Sequence, residues 1–329
     1  MIMKRTAAVA FMVSTLSISA SAYNDDGHFY TIASIINGSI VSLDPKVRAV
    51  ADVVAVCAQM PDLSRELDAV SLRIQVAGNW GGWLWGPFGV CPTPAVVDMV
   101  QKHHYLHSLT DQDSGRTRAA TLATLNILRK QLGEAPSDVN ACALGFAVHA
   151  YGDSFAHVRL DNPSRMYPPG MGHFRDDHKP DYVEYSQQRE RSWEEYGKGF
   201  SAAWQFSPDP NYLEFVLKIP RRELTAGDGG QTFWTDEGRV CYHEDNVRKQ
   251  LFLVQGPAWQ PWLQMQQPRI EALYGSGNMI LDPFDRVIAR LLPDRAKMLT
   301  LSAVWPVYMR AVKAGWGDTV KPACDGARP

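Results

Sequence analysis

Three side chains in the segment HAYGDSFAH, His149, Asp153 and His157, stand at positions i, i+4 and i+8. At about 100° per residue they project from one face of a helix within an arc of roughly 80°. The flanking residues ACALGFAVHAYG are rich in Ala and Leu, with no proline until Pro163, so a helix is expected here. Two imidazoles and a carboxylate on an otherwise apolar helix cost desolvation unless something pairs them. A metal ion is an economical partner, because neutral His and ionised Asp both suit zinc. The plainer alternative is one satisfied core histidine beside two partly exposed polar groups.

The rest of the chain adds further groups of the same kind. Eight of the nine histidines fall between residues 28 and 178, in four clusters accompanied by carboxylates; only His243 lies beyond. His28 follows Asp25, Asp26 and Gly27, and His103, His104 and His107 sit within five residues. His173 and Asp177 repeat the i, i+4 spacing, with His178 and Asp181 beside them. Separate structural explanations for four such clusters are harder to sustain than one shared metal site.

Elements that must position these groups are readable in outline. Asp25 to Gly27 can start a helix carrying Phe29, Ile32, Ile35 and Ile36. Residues 45–59 predict a second helix, with Val47, Val50, Val54 and Cys57 inward, running into Met60-Pro61-Asp62. Proline disfavours continuation, which would leave Asp62 just beyond the helix end. Residues 96–109 predict a helix on which His103 and His107 share a face and His104 points about 100° away. Residues 114–135 form an amphipathic pattern, and a helix is expected from Pro180 through SWEEYGKGFSAAWQF. Helical segments are also expected at 245–254, 285–300 and 301–314. Between the second and third helices, GNWGGWLWGPFGVCP has too many glycines for regular structure. Its Trp80, Trp83 and Trp85 either fold onto the core or meet a lipid interface or substrate.

Lys4 and Arg5, an apolar run from Ala7 to about Leu16 and the small residues Ala20-Ser21-Ala22 have the three-part layout of a secretory signal peptide. Cleavage after Ala22 would make Tyr23 the first residue and place the protein in the periplasm or outside the cell. No later stretch is long and apolar enough to cross a bilayer. With a net charge of −2 and scattered Lys and Arg, the chain lacks the basic stripe of a duplex-binding protein. Five cysteines without a CxxC pair argue against a zinc ribbon and for one or two disulfides in an oxidising compartment.

The order of these groups resembles the zinc-dependent phospholipase C and single-strand-specific nuclease superfamily. The resemblance rests on an aromatic at the processed N-terminus, a Gly-His nearby, an Asp after a helix, a His-aromatic step, His-x-x-x-Asp…His and a second His-x-x-x-Asp; it covers residues 23 to about 185. It implies an all-α multi-helix bundle holding two or three zinc ions. On that basis residues 1–22 are the signal peptide, 23–206 the helical zinc-hydrolase core and 207–329 a helical, aromatic-rich extension, set apart or part of the same domain. The resemblance further implies that Tyr23, through its α-amine and carbonyl, and His28 hold one zinc. Asp153 would bridge it to a second ion held by Asp62, His104 and His149, with His103 and His107 as alternatives to His104. His157, His173 and Asp177 would hold the third, with His178 an alternative to Asp177. Two ions about 3.5–4 Å apart can share a hydroxide aimed at a phosphodiester, and Asp62 is the candidate general base. This chain departs from the usual family pattern in three respects: Tyr23 replaces a Trp, His157 follows Asp153 by four residues rather than six, and the tryptophan loop lengthens the step from Asp62 to the histidines.

The expected activity is therefore that of an exported zinc metallohydrolase, a phospholipase C acting on phospholipid head groups, with the tryptophan loop touching the membrane surface. A single-strand-specific nuclease or nucleotidase of the same fold is the alternative within the enzyme class, since base stacking can substitute for a basic patch. A zinc-stabilised lipid- or partner-binding protein without turnover is the alternative outside it.

Overall fold

The computed structural model describes residues 28, 32, 35–36, 44–69, 71–72, 94–169, 180, 187–204, 231–235, 238–242 and 281–317. The described chain is predominantly helical. A short helix α1 (Pro45–Arg48) leads into α2 (Ala51–Leu63). Then come α3 (Pro94–Tyr105), α4 (Ser114–Glu134), α5 (Asp138–Ala156) and α6 (Gln187–Ala203). In the last third α7 (Phe284–Leu291) is followed by a 3₁₀ turn at Pro293–Arg295 and by α8 (Leu301–Trp316). An antiparallel hairpin, β1 (Gln231–Thr235) with β2 (Gly238–Tyr242), pairs Gln231 with Tyr242 and Thr235 with Gly238. It is the one sheet among the described residues and was not foreseen from helical periodicity.

The helix starts follow capping chemistry. Asp113 caps α4 by accepting from Arg116 N–H at 2.8 Å, Ser137 caps α5 through Asn140 N–H, and Thr300 caps α8 through Ala303 N–H. The α2 helix departs from expectation: it starts at Ala51 rather than residue 45 and continues through Pro61 to Leu63, where Ser64 N–H bonds Met60 O. Proline removes only its own N–H from the ladder, and this loss falls in the last turn, where few further bonds depend on it. Asp62 is therefore on the final turn of α2, not beyond it.

α5 is the axial element, with all but one of its residues buried. It packs against α2, α4, α6 and α8, so one apolar core joins Val54 and Cys57 to Phe146, Phe284, Val304 and Tyr308. The C-terminal helices α7 and α8 thus contribute to the same core as α2 and α5. Tyr308 O–H donates to the carbonyl of Tyr105 at 2.6 Å, tying α8 to the end of α3. Cys57 and Cys142 form a disulfide between α2 and α5. Beside it Gly145 lets the helices approach: a Cβ there would lie 2.6 Å from Cys57 Cβ and 2.7 Å from the Val54 carbonyl oxygen. No helix among the described residues is long and apolar enough to cross a membrane.

Candidate metal centre

Two turns beyond the disulfide, the same pair of helices turns polar. Asp153, fully buried, faces imidazoles with both of its carboxylate oxygens. Its Oδ1 lies 2.9 Å from His28 Nε2. Its Oδ2 lies 3.2 Å from His149 Nε2, 3.3 Å from His107 Nδ1 and 3.6 Å from His157 Nδ1. From α2, Asp62 Oδ1 approaches His149 Nε2 at 3.7 Å, while its Oδ2 accepts from Gln59 Nε2 at 3.1 Å. The His28 and His149 rings lie against each other with centroids 4.0 Å apart, tilted by 32°. Gly152 makes this possible, since a Cβ there would come within 2.9 Å of His28 Cε1.

Main-chain carbonyls set the tautomers. His149 Nδ1 lies 2.9 Å from Ala58 O, His107 Nε2 2.8 Å from Leu67 O, and His157 Nδ1 2.6 Å from His107 O. A carbonyl oxygen only accepts, so each of these ring nitrogens carries the N–H and donates. In a neutral ring the other nitrogen then presents its lone pair. Burial pushes the His149 pKa down to about 3, outweighing the pull of Asp153, so this ring is neutral at pH 7. Charged imidazoles would hold the Asp153 carboxyl well below its usual range against the penalty of burial; with the rings neutral, a bound cation would have to supply that charge instead.

The consequence is a convergence of lone pairs. His149 Nε2 and His107 Nδ1 face each other at 3.3 Å, and both face the ionised Asp153 Oδ2. Three acceptors in a buried space repel one another unless a cation sits among them. For ligands about 2.0–2.1 Å from a tetrahedral centre, the ligand–ligand edges come to roughly 3.3 Å. The triangle His107 Nδ1, His149 Nε2 and Asp153 Oδ2 has edges of 3.3, 3.2 and 3.3 Å, the dimensions of one face of such a tetrahedron. A second group, His28, Asp62 and His149, also brings its ligand atoms within 4.8 Å of one another. The two groups share His149, whose Nε2 can serve one ion at a time because its Nδ1 is given to Ala58 O, and Asp153 turns one oxygen toward each side.

Of the residues singled out from the sequence, the structure brings His28, Asp62, His149, Asp153 and His157 together. It does not bring His104. That ring packs against Tyr105 and Trp316 at centroid distances of 4.8 and 4.9 Å, and burial pushes its pKa down to about 4, leaving a neutral core histidine. His107 stands in the expected place instead. The α3 helix ends at Tyr105, and the chain then turns, so the shared helical face predicted for His103 and His107 does not extend to His107. His103 Nε2 bonds Ala69 O at 3.0 Å. Tyr23, His173, Asp177, His178 and the tryptophans Trp80, Trp83 and Trp85 lie outside the described residues.

Sequence reasoning missed the carbonyls of Ala58, Leu67 and His107, which no residue type announces. Gly152 had a signal, because a glycine inside a helix costs stability and implies a close approach. Comparison with protein-family models, with characterised proteins and with solved structures finds no match to this chain.

Proposed function

We propose that this protein is an exported zinc-dependent hydrolase of phosphodiesters, with phospholipid head groups as its substrate. The observation that carries the reading is the lone-pair triangle of His107, His149 and Asp153, with its 3.2–3.3 Å edges, backed on the other side of Asp153 by His28 and Asp62. Nitrogen and oxygen donors at this spacing suit zinc. Bound there, zinc would supply Lewis acidity toward a phosphoryl oxygen and an activated water. The chain's own residues do the rest. Asp153 joins the two ligand groups through its separate oxygens. Ala58 O and Leu67 O orient His149 and His107, and Gln59 occupies Asp62 Oδ2 so that Oδ1 faces the site. Asp62, anchored in this way, is positioned to take a proton from the attacking water. The buried disulfide accords with an oxidising compartment.

The test is zinc content per chain, measured with phosphocholine and diacylglycerol release from phosphatidylcholine vesicles and hydrolysis of single-stranded DNA. Two or three zinc ions with turnover on vesicles support the reading, whereas turnover on DNA alone moves the substrate to nucleic acid. One observation favours a second reading: the clustered ligands are only 0–2 % exposed, as in a closed structural site. In that case zinc pins α2, α5 and the chain around His28 together without turnover, and the same measurement returns bound zinc with no hydrolysis of either substrate.

A further inference from the structure

The turn after α3 carries the two positive φ angles found among the described non-glycine residues, Ser108 at 51° and Asp111 at 52°. Such angles are uncommon outside glycine and persist only where surrounding contacts impose them. Asp111 tolerates this region, and Arg165 holds both its carbonyl and its carboxylate. Ser108 is different. It is fully buried, and its Oγ donates to the carbonyl of Ala150 at 2.7 Å, on the turn of α5 that carries His149 and Asp153.

Its neighbour explains the location. Residue 107 enters the site twice. Its ring presents Nδ1 to Asp153 and His149, and its carbonyl accepts from His157 Nδ1 at 2.6 Å. Ring and carbonyl must therefore be aimed in two set directions at once, which fixes the dihedrals on both sides of the 107–108 peptide. On the far side Leu109 N–H returns to His103 O at 2.9 Å, closing the turn onto α3. The left-handed Ser108, latched to Ala150, is what lets the chain reverse there while both halves of residue 107 face α5.

We propose that Ser108 is a positioning residue of the metal centre: its latch to Ala150 aims the His107 ring as a ligand and the His107 carbonyl as the orienter of His157. This rests on the metal reading above. It makes opposite demands on two variants. Ser108→Gly keeps the backbone angle and loses the latch, so the fold is kept and the aim is lost. Ser108→Thr keeps the hydroxyl and strains the backbone, since a β-branched residue disfavours positive φ, so the aim is kept and stability falls.

The experiment strips the full-length chain with chelator and titrates it with zinc, and separately with cobalt(II) to read the d–d absorption of the ligand field. In parallel, thermal unfolding is recorded in chelator. Ser108→Gly is expected to unfold close to wild type in chelator, to bind zinc about 10–100-fold more weakly and to give an altered cobalt spectrum. Ser108→Thr is expected to unfold at lower temperature with wild-type zinc affinity and spectrum. Wild-type affinity and spectrum in Ser108→Gly would overturn the proposal, as would equal loss of affinity in both variants while both remain folded. Failure of the wild-type chain to take up zinc would overturn the metal reading itself, a result distinct from either.

Discussion

The two ends of the α2–α5 contact solve opposite problems. At the Cys57–Cys142 end the helices meet through a covalent bond and through Gly145, where backbone lies against backbone. That end is apolar and complete in itself. At the His149–Asp153 end the same helices bring together two carboxylates and several imidazoles, with lone pairs aimed at a common point. The polar end gains from a cation, while the apolar end holds the helices in register whether or not one is bound. Ala58, whose carbonyl orients His149, directly follows Cys57 in the chain, so the covalent end sets the frame of the polar one.

Breaking the covalent end should have the largest effect. The disulfide spans a separation of 85 residues, and loop-closure entropy puts its contribution at about 4–5 kcal/mol. A Cys57→Ala/Cys142→Ala variant should lose that much in denaturant unfolding relative to the oxidised protein. A loss below about 1 kcal/mol would mean that packing around Gly145 alone holds this end.

Breaking the polar end should act through the metal. On the proposed zinc reading, zinc at a thousandfold excess over its dissociation constant would stabilise the folded chain by about 4 kcal/mol through linkage. Asp153→Asn should lose its zinc and this zinc-dependent rise in Tm together, with the disulfide intact. Full zinc content in that variant would remove the bridging role assigned to Asp153. Next in size, Gly145→Ala presses a methyl group onto Cys57 and Val54 and should cost about 2–3 kcal/mol. Because the strain is at the apolar end, zinc stoichiometry should not change, and a parallel loss of zinc would show that the two ends are less separable than their chemistry suggests.

The contrast between α5 and the end of α3 explains what the sequence could and could not convey. His149 and Asp153 lie in an unbroken helix, so a constant angle per residue placed them on one face correctly. His157 caps the C-terminus of that helix and still falls beside Asp153. His107 lies past the end of α3, after a turn with a left-handed serine, and no periodicity extends across such a turn. The helix through Pro61 was hidden for a related reason: a proline rule gives the cost of continuing, but the packing of α2 on α5 decides whether that cost is met. The helical character, the extent of α4 and the placing of α8 followed from periodicity. The hairpin at 231–242 did not, because its two short strands lie among residues with no alternating stretch long enough to read.

His104 gives the smallest effect and the sharpest check on the placement of the centre. Its folded pKa of about 4 lies below the unfolded value near 6.5, so between these pH values the unfolded chain binds the extra proton. Stability therefore falls as pH drops from about 6.5 to 4, with a slope of up to about 1.4 kcal/mol per pH unit from this one group. His104→Phe keeps an aromatic ring against Tyr105 and Trp316 and removes the titration. Measured in chelator, the loss of stability between pH 7 and 4.5 should shrink by about 2 kcal/mol. The remaining slope belongs in part to His149, whose pKa is also lowered by burial. Zinc content of His104→Phe at neutral pH should equal that of wild type, whereas His107→Phe should lose zinc. The reverse pattern would place His104 at the metal after all, as the resemblance to the zinc phospholipases implied, and would assign the core position against Trp316 to some other state of the chain.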